Sequence, residues 1–176
     1  MANNFVRPEK KFTAYDPISF KNTKYLYRSF NEAEEDWRNY LSLWKSYPDF
    51  FIDFISNEYT KIKLFPYQRL MLRVFFRYQY VFCSMARGSA KSYTEVLSFY
   101  LKCMFFPSCV NVMTSAIKEQ SAKISKQNIE KIWEHFPMLK GELTKWTFQR
   151  DSTILYFKNN SVLRIVQMAE ADRGGR

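Results

Sequence analysis

The sequence predicts an α/β protein with parallel strands in its sheet. Three observations carry this. A short apolar run, Tyr80–Cys83, leads straight into a small, polar loop, Ser84–Ala90. A helical stretch then runs from Lys91 to about Phe105. A second β-prone run, Cys109–Met113, precedes another long helical stretch. Strand, loop, helix, strand, helix is the order of a βαβ unit, whose crossover sets its two strands parallel.

Residues 1–60 read as an arm followed by a helical segment, and residues 61–176 as a separate region. Residues 1–30 are polar and aromatic without clear period. Asn31 with Glu34 has the form of a capping box, and acids crowd the turn that follows. Trp37, Tyr40, Leu41 and Trp44 fall at i, i+3, i+4 and i+7, one helical face expected to pack into a core. Tyr47–Pro48 stops that helix, and Phe50, Phe51, Phe54 and Ile55 predict a second, short one.

Composition shifts after Tyr59. Pro66 suits the first turn of a helix carrying Leu70, Met71, Val74 and Phe75 on one side. Tyr80–Cys83 reads as a buried strand, parallel to Cys109–Met113 and next to it or one strand away. Thr114 and Ser115 open the next helix, with Ile117, Ile124, Ile129, Ile132 and Trp133 as its apolar positions, and Pro137 ends it. Thr153–Phe157 and Ser161–Gln167 predict a β-hairpin, since Lys158-Asn159-Asn160 supplies residues that tolerate positive φ.

Composition bounds the function. Of 176 residues, 27 are Lys or Arg and 17 are Asp or Glu, a net charge of +10 that attracts polyanions, nucleic acid first among them. Hydrophobic residues make up 47% and aromatics 19%, which excludes a disordered chain. Cys83, Cys103 and Cys109 show no CxxC spacing, so neither a zinc site nor a disulfide framework is expected, and a reducing compartment fits. The N-terminal residues lack the apolar core of a signal peptide, and no apolar run approaches a membrane span. His135, the only histidine, is expected on the surface near a helix end, favoured there by the helix dipole.

The chemistry concentrates at Met85–Ser92. The phosphate-loop pattern is G-x-x-x-x-G-K-[ST]. Here Met85 and Ala90 replace its two glycines, while Lys91-Ser92 stand at the start of the predicted helix, directly after a strand and a small-residue loop. In that context the backbone N–H groups of Gly88, Ser89, Ala90 and Lys91 converge on phosphate oxygens. Lys91 is the candidate for the β- and γ-phosphates and Ser92 for Mg²⁺. Ala90 permits close backbone approach only if its φ is negative.

These residues resemble the deviant Walker A loop of the large terminase subunits of tailed bacteriophages, in which an Arg precedes the Lys by four residues. Arg87-Gly88-Ser89-Ala90-Lys91-Ser92 has that form. Phe65-Pro66-Tyr67-Gln68 resembles the adenine-recognising Gln motif that these motors share with helicases. Val112–Ser115 with Glu119-Gln120 resembles the segment after the second core strand. Ile154–Phe157, Asn160-Ser161 and Arg173–Arg176 resemble the hairpin and Arg-Gly element ahead of the Walker B strand. The resemblance covers about Leu64 to Arg176.

It implies a P-loop NTPase (RecA/ASCE-like) three-layer α/β core, incomplete here, with a helical N-terminal segment. It implies binding of ATP and Mg²⁺ and an ATPase in the parent protein. It implies Gln68 on the adenine edge, Arg87 as a catalytic charge on the γ-phosphate and Lys91 as its partner in catalysis. The implied partners are double-stranded DNA, a portal protein and a small terminase subunit, with a homo-oligomeric ring in the host cytoplasm at the procapsid. The sequence departs from the family in lacking a run of four apolar residues ending in Asp-Glu; Glu170 and Asp172 come nearest, in the wrong order. The chain is therefore expected to be the first portion of such a motor, without the residues for hydrolysis. Two other readings stay open: a superfamily 2 helicase-like translocase, and a non-catalytic basic protein that binds nucleic acid through cations and aromatics.

Overall fold

The computed structural model describes residues 30–56, 63–115, 118–149 and 152–167. Four helices come first: α1 (Phe30–Ser46), α2 (Pro48–Ile55), α3 (Pro66–Arg77) and α4 (Lys91–Phe105). Then come β1 (Val110–Ser115), α5 (Lys118–His135), the single-turn α6 (Pro137–Lys140), β2 (Leu143–Phe148), β3 (Ser152–Phe157) and β4 (Val162–Gln167). Glu170, Asp172, Arg173, Arg176, Ile117 and the arm before Phe30 lie outside the described residues.

The chain divides into two compact units, one ending at Tyr40 and one beginning at Leu41. In the first, Arg38 pairs with Glu34 one turn earlier at 2.7 Å, and Trp37 meets Tyr40 edge to face. Trp37 is half-exposed, so the stripe expected to be core does not pack as one face.

In the second unit, α4 is the element around which the others pack. Thr94, Val96, Leu97, Ser98, Tyr100, Leu101, Cys103 and Phe105 are all buried on it. α3 packs along one side of α4 and α5 along another, and α4 and α5 together lie on the sheet. The sheet is mixed, in the order β1-β4-β3-β2, with β1 parallel to β4 and the β4-β3 and β3-β2 pairs antiparallel. Leu155, Phe157, Leu163 and Ile165 form its buried side. Tyr100 joins the layers: its ring meets Phe157 edge to face at 4.9 Å, and its hydroxyl donates to the Leu139 carbonyl at 2.8 Å. The same hydroxyl accepts from the Trp133 indole at 3.3 Å.

The hairpin is as expected: Lys158-Asn159-Asn160 form the turn, and Asn160 takes φ 65°. Its side chains also close the end of α4. The Asn159 amide donates to the carbonyls of Cys103 and Met104 at 2.8 and 3.0 Å. The Ser161 hydroxyl donates to the Phe106 carbonyl at 2.8 Å and accepts the Cys109 N–H at 3.2 Å. A helix end leaves carbonyls without intrahelical partners, and these contacts satisfy them.

Several expectations are corrected. Tyr80–Cys83 is not a strand, and Tyr80 and Phe82 are 86% and 94% exposed. β-propensity records fit to a pleated, half-buried surface, and a strand forms only where a neighbour completes the ladder. The strand parallel to β1 is instead β4, from much later in the chain. Thr114 and Ser115 belong to β1 and not to the following helix. β2 was not expected, although Lys145-Trp146-Thr147-Phe148 alternates in polarity. α1 is already helical at Phe30, so the cap expected at Asn31 lies inside it. Phe50, Phe54, Leu41 and Leu70 are exposed, whereas Ile52, Leu72 and Asp49 are fully buried.

Asp49 is held by two cations. Arg73 binds it bidentately at 2.8 and 2.6 Å, and Arg69 reaches it at 3.5 Å while gripping Asp53. This network ties α2 to α3. The described residues place helices on one face of the sheet, while Val110, Val112, Tyr156 and Arg164 stay exposed on the other. Among the described residues no helix is long and apolar enough to cross a membrane.

Asn159→Ala removes both amide donors from the end of α4. Because hydrogen-bond partners left inside cost more than the bond itself contributes, the loss of unfolding free energy is expected at about 1–3 kcal/mol. Urea denaturation of the two proteins measures it, and an unchanged midpoint contradicts the capping role.

Candidate functional site

Six of the expected site residues are consecutive and meet at the start of α4. Arg87, Gly88 and Ser89 form a turn, Ala90 is the N-cap, and Lys91 and Ser92 begin the helix. The loop is held from within: the Ser89 hydroxyl donates to the Ala86 carbonyl at 2.8 Å. The Thr94 N–H and hydroxyl both donate to the Ala90 carbonyl, at 3.0 and 3.1 Å.

Gly88 has φ 82° and Ala90 has φ 51°, with Ser89 between them at negative φ. Alternation of left- and right-handed residues turns successive N–H groups toward one point, the arrangement of an anion-binding nest. The negative φ on which close backbone approach at Ala90 was conditional is therefore not met. The left-handed conformation brings the Ala90 methyl close to its own carbonyl and costs on the order of 1–2 kcal/mol.

The helix end is also electrostatically open. No side chain caps its N–H groups, and its first turn contains no acid. An uncapped N-terminus carries partial positive charge, to which Lys91 adds a full one. Arg87, Gly88, Lys91 and Ser92 are exposed, and a Cβ placed on Gly88 would meet no atom within 4 Å. Glu95, one turn beyond Lys91, is shifted upward by desolvation and drawn back by the Lys91 charge. The residue itself is exposed, which tempers the upward shift.

These features fit a phosphate group: backbone donors, a cation and an open approach. Ser92, expected as a Mg²⁺ ligand, is exposed in the first turn of α4, and no cluster of three His, Cys, Asp or Glu side chains stands among the described residues. Gln68 is on α3, which packs against α4, but it is buried and its side-chain oxygen accepts the Phe65 N–H at 3.0 Å. It caps the first N–H of its own helix, so that acceptor is engaged within the protein.

Sequence reasoning missed the role of His135. It is half-buried, and its Nδ1 lies 3.2 Å from the hydroxyl of Tyr93, the residue after Ser92. Burial pushes the Tyr93 hydroxyl up to about 12. The His135 imidazole is shifted down by desolvation, with Lys131 adding to the shift and Glu134 opposing it. The shift runs opposite to the one expected from a helix dipole favouring the charged ring. The aromatic contact between Tyr93 and His135 was not legible because it joins residues 42 apart in the chain.

No family model matches the chain, and no curated protein matches it.

Two outcomes follow. Ala90→Gly relieves the left-handed strain and adds glycine entropy in the unfolded chain, so a net stabilisation of about 0.5–1 kcal/mol is expected. A thermal shift downward would show that Ala90 is not strained. For His135, a folded pKa below 6.5 means the unfolded state takes up the proton first, so stability is full above 6.5 and falls as pH drops through the folded value. Unfolding midpoints from pH 7 to 5 should decline less in His135→Asn than in the parent; parallel curves refute the coupling.

Proposed function

We propose that the loop from Arg87 to Ser92 grips the polyphosphate of ATP and that the chain is the ATP-binding portion of a DNA-packaging motor similar to large terminase subunits. The observation that carries the binding is the uncapped, acid-free N-terminus of α4 behind the left-handed pair Gly88 and Ala90. The motor assignment rests on the order of sequence motifs and on the net charge of +10, which suits a duplex polyanion.

Each residue has a chemical task in this reading. The backbone amides of Gly88, Ser89, Ala90 and Lys91 donate to phosphate oxygens without needing to reorganise. The Lys91 ammonium would offset the charge of the β- and γ-phosphates, and the Ser92 hydroxyl would ligate Mg²⁺. Mg²⁺, when bound, would neutralise the phosphate charge further. Arg87, exposed on the same turn, is free of the core and able to swing toward a γ-phosphate, where a guanidinium meets charge that develops in transfer. Gln68 would reach adenine only by giving up its bond to the Phe65 N–H, so base recognition through it competes with capping of α3. A P-loop NTPase core, with the sheet covered on both faces, is the architecture that this function requires.

The test is nucleotide binding by calorimetry on the parent, Lys91→Ala and Ser92→Ala. A charge-assisted bond contributes about 1.5–3 kcal/mol, so Lys91→Ala should bind ATP and ADP roughly 10- to 100-fold more weakly. Ser92→Ala should lose the Mg²⁺-dependent part of the affinity only. Equal binding by the parent and Lys91→Ala removes the loop from the site.

A further inference from the structure

At the opposite end of α4 from the phosphate loop, two of the three cysteines share one hydrogen-bond donor. Asn111, on β1, points its amide nitrogen at Cys103 Sγ, 3.1 Å away, and at Cys109 Sγ, 3.6 Å away. Cys103 is in the last turn of α4 and fully buried, and Cys109 stands just before β1, half-buried. Only Met104–Ser108 separates them, folded back by a turn in which Ser108 takes φ 58°. The Cys109 thiol also reaches the Lys102 carbonyl at 3.8 Å. Both thiols are free. Two thiols confined to one amide by fold, at the joint between a helix and a strand, make a site and not a coincidence of composition.

We infer that Cys103 and Cys109 form a thiol–disulfide exchange site, oxidised by low-molecular-weight disulfides such as glutathione disulfide and closed into an intramolecular disulfide. Cys109 is the entry point because it is the more exposed of the two. Its thiolate attacks one sulfur of glutathione disulfide; that S–S bond breaks, its electron pair leaves on a glutathione thiolate, and a Cys109–glutathione mixed disulfide forms. Cys103 then gives up its proton, and its sulfur attacks Cys109 Sγ, expelling the second glutathione thiolate. The two protons from the protein thiols end on the two glutathiones. The protein loses two electrons, and glutathione disulfide gains them.

The second step is the slow one. Burial pushes the Cys103 thiol up to about 12, so little thiolate is present at neutral pH. Cys83, the third thiol, is exposed beside the phosphate loop and has no partner thiol at its position, so it takes glutathione without passing it on. Formation of the link does not depend on nucleotide binding.

The experiment uses Cys83→Ser, an exposed position, incubated natively with glutathione disulfide at several pH values and then quenched with acid. The expected result is loss of both remaining titratable thiols, a mass lower by two hydrogens, and a Cys103–Cys109 linked peptide, all reversed by dithiothreitol. The rate should rise with pH, as a resolving thiolate at Cys103 demands. Cys109→Ser in the same background should stay reduced under native conditions, and Cys103→Ser should stop at the glutathione adduct. A stable adduct on Cys109 with Cys103 still free, or a link that appears only in urea, overturns the inference.

Discussion

Everything in the larger unit depends on the joint where α4 meets the hairpin turn. Helix α4 ends against a β-turn that has little else to offer it than polar side chains, and Asn159 and Ser161 spend those on the helix carbonyls. The backbone adds to the same joint: the Ser108 N–H donates to the Asn159 carbonyl at 3.0 Å and the Val162 N–H to the Cys109 carbonyl at 2.9 Å. The chain therefore leaves the helix already aligned with β4, and Val110 falls opposite Val162. The parallel pair, the buried side of the sheet and the position of α4 on it are set by one corner. Parallel strands need a long connection, and here it passes through α5, α6 and both other strands before returning.

What was legible in the sequence was what is decided locally. The hairpin announced itself because Asn160 tolerates the left-handed region and a β-prone run stands on each side of the turn. α3 was legible from Pro66 and α4 from the loop before it. Burial was read less well. Apolar spacing marks a helical face without saying what the face meets, so Trp37 and Leu41 on α1 and Leu70 on α3 stay exposed although Trp44, on the same stripe as the first two, is buried. Asp49 shows the converse: a carboxylate on a short helix is fully buried because Arg73, 24 residues away, supplies two hydrogen bonds. No local pattern records such a pairing. Tyr80–Cys83 fails for the same reason, since a strand is a relation between segments and not a property of one.

The site was legible to a different degree from the fold. Six of its residues are neighbours in sequence, so their convergence follows from one turn and needs no tertiary prediction. Gln68 is engaged within its own helix: its side-chain oxygen accepts the N-cap N–H of Phe65, whose ring stacks on that of Tyr67. Tyr93 and His135 were outside the motif altogether, yet they tie the first turn of α4 to the end of α5. That pair supplies a second anchor for the start of α4 beyond the bonds from Thr94 to Ala90.

The conformation of Ala90 is the most informative single feature of the loop. A non-glycine residue at φ 51° is uncommon, and alanine has no side-chain oxygen to offset the strain by a local hydrogen bond. The surroundings hold it there. Two donors from Thr94 converge on its carbonyl, fixing the peptide plane that follows it, and the bond from Ser89 to Ala86 fixes the turn before it. Strain of this kind persists when surrounding contacts over-determine it, and it gathers where backbone geometry has a task. With Ala90 in the right-handed region the loop would continue the helix backward, so its left-handed φ is what breaks the helix at Lys91. An N-cap with a serine or aspartate side chain would stabilise α4 by filling those donors itself. Ala90 leaves them open to a ligand, and the cost in local stability is the physical counterpart of that vacancy in hydrogen bonding.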